Sequence, residues 1–295
     1  MKKIMQYIIH PSKIILYGMN KGYFRWIPDK TYLKWKYMLN MKKKLDLENP
    51  KSFNEKLQWL KLYDRKNEYT KMVDKYLVRD YVKEKIGEEY LIPLLGVYDR
   101  FEDIDFSSLP NQFVMKPNHT SGDIYICKDK KEIDYKSLKK ITQKWLKRKY
   151  FYLHREWPYK NVEPKIIIEK YMGDNIKDYK FMCFHGEVKC LFVCSERNTS
   201  NGLHVTFYDA EWKKMPFERH YPSSKEKIEK PKNYSKMLAF AELFSKDIPF
   251  VRVDFYEIDN KIYFGELTFY PGSGYEEFTP EKYDDVLGDW MKLPR

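Results

Sequence analysis

Two acidic residues near the end of the chain carry the clearest chemical pattern. Arg252-Val253-Asp254-Phe255 is followed by Tyr263-Phe264-Gly265-Glu266-Leu267-Thr268 and then by Pro271-Gly272-Ser273-Gly274. In a strand alternate side chains share a face, so Arg252 and Asp254 point one way while Val251 and Val253 point to the core. Glu266 and Thr268 likewise share a face, opposite Leu267. If the two segments form a hairpin turning near Asp259-Asn260, Asp254 pairs close to Glu266, and adjacent carboxylates repel unless a cation sits between them. Magnesium suits such a pair, because it takes a few carboxylate oxygens and leaves its other positions to water and phosphate. The glycine-rich turn beginning at Pro271 offers backbone N–H groups to an anion. The competing reading is an exposed hairpin with incidental acids.

A second group centres on Lys116. Phe113-Val114-Met115-Lys116 reads as an apolar strand delivering a lysine into Pro117-Asn118-His119-Thr120-Ser121-Gly122-Asp123. A loop of such small, hydrogen-bonding residues, Ser121 and Gly122 among them, can close over phosphates with Lys116 as counter-charge. It is not a Walker A loop, which needs Gly-Lys-Ser/Thr before a helix, and no Rossmann glycine fingerprint occurs. Alone, Lys116 reads equally well as a surface lysine at a strand end. A third group, Ile166-Ile167-Ile168-Glu169-Lys170-Tyr171-Met172, is an apolar strand whose polar end can meet an adenine edge, with Tyr171 and Met172 able to sandwich the ring. Asp178 and Lys180 follow on one strand face, where the lysine can reach a phosphate. The plain alternative is a core strand with a polar end.

Composition sets the frame. The 295 residues are 43% hydrophobic and 33% charged, which fits a globular chain with a sizeable core and excludes a disordered or fibrous one. Four cysteines without CxxC pairing or matching histidines speak against zinc and suit a reducing compartment. No apolar stretch approaches the roughly 20 residues that cross a bilayer, and residues 1–22 are too interrupted for a secretory segment, so a cytoplasmic location is expected. Net charge is +12, and residues 1–50 hold eleven Lys or Arg against Asp29, Asp46 and Glu48. With Ile14, Ile15, Tyr17, Phe24 and Trp26 alongside, this basic end could lie on an anionic membrane or hold an acidic polymer. An ordinary packed helical segment with a solvated face reads as well. Nucleic acid is not expected, because no binding motif accompanies the charge.

The elements that must position these residues follow from periodicity and punctuation. Residues 1–50 read as short helices broken at Pro11, Gly22, Pro28 and Pro50. Ser52 and Glu55 form a capping box opening a helix to Asp64, and a second helix spans 71–85, ending at Gly87. Strands are expected at 90–98, 112–116 and 124–127, then a helix at 135–148. Strands at 165–169, 179–184, 188–194 and 204–208 follow, then a helix at 234–244 and the strand pair 251–256 and 261–267. The organisation expected is a basic helical extension over 1–70, a linking helix and strand over 71–110, a lid over 111–172, and a C-terminal unit with the metal pair over 173–295.

In order, these pieces resemble the ATP-grasp superfamily: a lysine on a strand before a flexible loop, an apolar strand ending in Glu, and a late acid pair. The end of the chain is similar to D-alanine:D-alanine ligases, whose Arg-x-Asp precedes Glu-x-Asn and Pro-Gly; here Thr268 stands in place of that Asn. Lys51-Ser-Phe-Asn-Glu-Lys-Leu-Gln-Trp-Leu-Lys-Leu-Tyr-Asp64, Val73-Asp-Lys-Tyr-Leu-Val-Arg-Asp-Tyr-Val82 and the Phe113 to Gly122 run resemble the TupA-like ATP-grasp proteins of teichuronopeptide and capsular polysaccharide clusters, over residues 45–290. The resemblance implies an α+β ATP-grasp fold, two subdomains clamping ATP, with an N-terminal helical extension. It implies a bacterial ligase in which ATP phosphorylates a carboxylate and an amine displaces phosphate. Carried onto this sequence, Lys75 and Lys116 would contact phosphates, and Glu169 with Lys170, Tyr171 and Met172 would hold adenine or ribose. Asp254 and Glu266 would bind Mg2+, with Thr268 as a ligand or water contact. Arg252 would stabilise charge on the carboxylate as it becomes acyl phosphate, with Lys180 at the phosphates and His119 in phosphate contact or lid closure.

The partners implied are a carboxylate-bearing sugar or glycan, a uronic acid above all, and an amine or amino acid. An ATP-grasp kinase would stop at phosphoryl transfer. A glycosyltransferase would need a nucleotide-sugar site, commonly an Asp-x-Asp on a loop. A binding protein that had lost catalysis would have little reason to keep Lys116, Glu169, Asp254 and Glu266 together.

Overall fold

The computed structural model describes residues 11–174, 176–195 and 202–294. Helices Pro11–Asn20, Asp29–Met41 and Phe53–Tyr63 come first. The third opens on the capping box: the Ser52 hydroxyl accepts the Glu55 N–H at 3.3 Å, and the Glu55 carboxylate accepts the Ser52 N–H at 3.2 Å. Its apolar face, Phe53, Leu57 and Leu60, enters the largest hydrophobic core.

Two short helices, Glu68–Val73 and Val78–Ile86, replace the single helix expected over 71–85. The break is Asp74, whose buried carboxylate accepts the N–H groups of Tyr76 at 2.8 Å and Leu77 at 3.3 Å. An aspartate bonding the backbone just ahead of it competes with the helical ladder. The interruption turns Lys75 toward the Lys116 loop, where its N–H donates to the Asn118 carbonyl at 3.2 Å and its ammonium to that of Thr120.

Strands β1 (Leu94–Tyr98), β2 (Phe113–Pro117), β3 (Tyr125–Cys127) and β4 (Ile166–Lys170) form an antiparallel sheet in the order β1-β4-β2-β3. β1 starts later than expected, after a short 3-10 turn, Glu88–Tyr90, and Pro93. Helix Tyr135–Lys147, capped by Asp134, packs Leu138 and Trp145 against Phe113, Met115, Ile166 and Ile168. Lys116, Val114, Ile167 and Glu169 therefore lie on the sheet's other face.

Strands β5 (Asp178–Phe184), β6 (Glu187–Ser195), β7 (His204–Asp209), β8 (Glu218–Arg219), β9 (Phe250–Ile258), β10 (Lys261–Thr268) and β11 (Phe278–Thr279) follow. Five make an antiparallel sheet ordered β10-β9-β5-β6-β7, and β8 pairs with β11. Helix Tyr234–Ser245 adds Met237, Ala241 and Phe244 to the core that this sheet shares with Phe53 and Leu57. The α+β class expected from the sequence is the architecture observed.

The β9–β10 hairpin turns at Asp259 and Asn260, both with positive φ (52° and 60°), as a two-residue turn requires. Straight counting from that turn would set Gly265 opposite Asp254 and Glu266 on the core side with Val253. A one-residue bulge between Phe264 and Glu266 shifts the register, pairing Glu266 with Asp254 and Thr268 with Arg252. Gly265 permits it: a Cβ there would sit 3.1 Å from the Asp254 carbonyl and 3.2 Å from its Cβ.

A polar network ties the first helices to the rest. Arg155, fully buried, donates to the carbonyls of Phe24 (3.0 Å), Ile27 (3.2 Å) and Tyr152 (3.0 Å) and pairs with Asp29 at 2.9 Å. Buried Lys36 donates to Asn20 at 2.8 Å and to the Leu153 carbonyl. Lys61, equally buried, donates to Gln58 at 2.9 Å and to the Ser273 carbonyl at 2.7 Å, while the Ser273 hydroxyl donates to Glu156 at 2.5 Å. Burial, with Lys61 beside it, drags the Lys36 ammonium down to about 7.

Candidate active site

The two sheets meet at a cleft whose walls include Lys75, Arg79, Lys116, Glu169, Tyr256 and Gly265. On the β2–β4 side Lys116 pairs with Glu169 at 2.6 Å, and Arg79 approaches the same carboxylate at 3.4 Å while donating to the Ile92 carbonyl at 2.9 Å. Burial lowers the proton affinity of Lys75, Glu266 opposes that shift and Lys116 adds to it, so the three charges lie within electrostatic reach. Leu91, Ile92, Val78 and Phe264 give the cleft apolar walls.

On the β9–β10 side Arg252 grips both Asp254 oxygens, from Nε at 2.7 Å and Nη2 at 2.6 Å, and reaches Glu266 at 2.9 Å. Thr268 donates to Glu266 at 3.0 Å. Lys180, opposite Asp254 in the β5–β9 register, pairs with Asp178 at 2.7 Å and with Asp254. Asp254 is 1% exposed, and these buried acids persist because each faces a cation. Burial alone would raise Glu266, but Arg252, Lys75 and Lys180 outweigh it and hold its carboxyl at about 2. The Glu266 carboxylate is thus ready as an anion at neutral pH.

Two in-register carboxylates and a hydroxyl are a sparse oxygen donor set of the kind magnesium uses with substrate phosphates. Among the described residues, no three His, Cys, Asp or Glu side chains gather as a protein-only metal cage. The donors fit magnesium.

The remaining expected residues are placed differently. His119 is buried, with one ring nitrogen 3.1 Å from the Arg148 carbonyl and the other 3.3 Å from Asn118; burial pushes it down to about 4, so it is neutral at pH 7. Ser121 and Gly122 lie exposed on the loop, which is braced by Thr120 and Arg148 on Asp123. Lys170 is exposed and alternates away from Glu169, with Tyr171 and Met172 beyond the strand end. The Pro271 turn keeps two of its amides for itself: Ser273 N–H donates to Tyr270 and Tyr275 N–H to Gly272. Its Ser273 and Gly274 carbonyls accept from Lys61 and Gln58 of helix Phe53–Tyr63. The anion cradle expected there is largely closed by these bonds.

Arg79 and Tyr256 were not anticipated. Tyr256 continues the Arg252, Asp254 alternation and was open to that reading. Arg79 was not, because its reach to Glu169 depends on how a helix docks.

Residues 55–292 match the model of the TupA-like ATP-grasp family. No curated protein matches the chain. Solved structures resembling it include D-alanine–D-alanine ligase from Bacillus anthracis, at 19% identity and TM-score 0.45, covering 74% of this chain and 62% of that one. N5-carboxyaminoimidazole synthetase from Staphylococcus aureus complexed with ADP shows 16% identity and TM-score 0.46, covering 91% and 65%. The ATP-grasp ligase PsnB complexed with a phosphomimetic variant of its minimal precursor, Mg and ADP shows 9% identity and TM-score 0.43, covering 89% and 70%. The chain spans 62% and 64% of the two Bacillus anthracis ligase structures. The family match alone covers both sheets and the whole cleft between them, so the chain belongs to the TupA-like ATP-grasp family and has its α+β ATP-grasp fold.

Proposed function

We propose that this protein is an ADP-forming carboxylate–amine ligase using ATP and magnesium. One observation carries the reading: the Gly265 bulge sets Glu266 beside Asp254, between Arg252 and Lys180 and across the cleft from Lys116 and Glu169. Magnesium bound at Asp254, Glu266 and Thr268 would neutralise phosphate oxygens. The chain's own groups supply the rest. Lys116 and Lys75 hold phosphate charge, and Lys116 can leave Glu169 to do so. Glu169 faces the nucleoside, with Lys170, Tyr171, Met172 and Asp178 at the edge of its site. Lys180 stands by the transferring phosphoryl group. Arg252 stabilises the carboxylate as it becomes an acyl phosphate, which an amine then opens with release of phosphate. The loop of Ser121 and Gly122 closes over the phosphates, and a neutral His119 fixes its base by hydrogen bonds rather than by charge. Residues 111–172 form the lid and 173–295 the metal-bearing unit.

The substrate we propose is a uronic-acid carboxylate of a bacterial surface or capsular glycan, joined to an amino acid or other amine. Family context and the cationic cleft support this. The purified protein, given ATP, magnesium and a panel of uronates and amines, is expected to release ADP and phosphate only when both partners are present. ADP from a carboxylate or sugar alone would indicate a kinase, and AMP would exclude the acyl-phosphate route.

We also propose peripheral contact with an anionic membrane from the cytoplasmic side. No described helix is long and apolar enough to cross one. Tyr23 and Trp26 are 67% and 78% exposed, Trp35 52%, amid Lys21, Arg25, Lys30 and Lys34. Co-sedimentation with phosphatidylglycerol vesicles should fall several-fold in a Tyr23→Ser, Trp26→Ser variant; unchanged binding would sink the idea.

A further inference from the structure

Arg219 is a buried cation that the chemistry above leaves unused. It is 6% exposed, on β8, with its guanidinium carbon 4.3 Å from the centre of the Phe192 ring and 5.6 Å from that of Phe207. Ring contacts desolvate a guanidinium but consume none of its five N–H donors. Its ion-pair partner is Glu276, with Nη1 2.9 Å from Oε2, and the alignment is too poor for a hydrogen bond. Among the described residues, Nε and Nη1 have no hydrogen-bond acceptor. Arg155, also buried, shows the contrast: its Nη1 and Nη2 donate to three carbonyls, and only Nε, 2.9 Å from Asp29, lacks an aligned acceptor. A buried guanidinium left short of acceptors is costly unless something else supplies them.

Its location says what that would be. Arg252, placed above at the activated carboxylate, lies over the same Phe192 ring at 5.8 Å. Glu276 leans over Gly272 in the turn after β10, so closely that a Cβ on Gly272 would come within 2.0 Å of its side chain. The pair thus stands between the Arg252 cluster and the turn following Thr268. Burial and Arg252 both weaken Arg219's hold on its proton, and Glu276, 22% exposed at its side chain, opposes them.

We propose that Arg219 is a docking point for a substrate carboxylate, with Glu276 holding that carboxylate's place until it arrives. The planar fork of an arginine matches a carboxylate in two parallel hydrogen bonds, which Glu276 does not complete. This inference rests on the ligase reading. The carboxylate is either the one activated or the carboxylate of an amino-acid acceptor; the chemistry of recognition is the same.

The test reads Arg219 directly. In 15N–1H spectra of the arginine Nε–H groups, the Arg219 signal is identified by its loss in Arg219→Lys. Galacturonate and L-glutamate are titrated separately, with galactose as control, with and without magnesium and a non-hydrolysable ATP analogue. One of the acids is expected to move the Arg219 signal saturably while galactose does not; galacturonate assigns the activated partner and glutamate the acceptor. Glu276→Gln should shift the midpoint to several-fold lower acid concentration, a change that a purely structural ion pair would not give. An Arg219 signal that neither acid moves, with or without nucleotide, overturns the inference. Failure of the analogue to bind, seen in the same spectra, strikes the ligase reading instead.

Discussion

Asp254→Asn is expected to lower carboxylate- and amine-dependent ADP release by about 10^3-fold, the scale seen when one pre-organised electrostatic contact is lost from an active site. The substitution preserves shape and removes one charge from the pair that the β9–β10 register sets together. Arg252 keeps Glu266 and Lys180 keeps Asp178, so neither cation is abandoned and the fold should survive. Glu266→Gln should act in the same direction, and in both variants the magnesium needed for half-maximal turnover should rise. Measuring turnover against magnesium concentration separates this from general damage, which would lower the plateau without moving the midpoint. Turnover in Asp254→Asn within a few-fold of the parent would remove the pair from the proposed chemistry.

The largest effect on stability is expected at Glu156, far in sequence from the helices it holds. Its carboxylate accepts from Ser273 and acts through charge on Lys61 and Lys36, and Glu156→Gln leaves both buried ammonium groups without that counter-charge, a loss of about 1–3 kcal/mol. The pH dependence follows from Lys36, which releases its proton near 7 in the fold and near 10.5 when free. Between those values the unfolded chain binds the extra proton, so this group's contribution to stability rises with pH. In Glu156→Gln the deficit should therefore be greatest near pH 7 and shrink above it as the lysines become neutral; in acid it closes as well, because burial raises Glu156 and its protonated carboxyl is as neutral as Gln. Tyr32 is pushed up to about 12 by burial and opposes the trend only above its ordinary 10. Urea midpoints of both proteins at pH 7 and about pH 9.5 test this; a deficit that stays constant would mean lost packing rather than lost charge.

Most strands and the acid pair were legible because period-two alternation and turn residues are local signals. Arg252, Asp254 and the Asp259-Asn260 turn needed no tertiary knowledge. The bulge at Gly265 did: counting from the turn puts Glu266 in the core, and only its charge argued otherwise. The helix break at Asp74 was open to a reading of Asp as a competitor for backbone N–H groups, but a continuous apolar pattern concealed it. Arg79 and Arg219 were illegible for a shared reason. Each acts through a docking geometry, a helix against β4 in one case and a two-residue strand against β11 in the other, that short-range spacing does not encode.

The family match opens at residue 55, whereas three of the four groups that Arg155 meets lie before it, at Phe24, Ile27 and Asp29. Ancestry should therefore bind these two stretches together. A relative that lost the first helices would strand a buried guanidinium inside the matched region, and could persist only if that arginine had changed too. Arg155 and its three distant partners should thus be inherited, or discarded, as one.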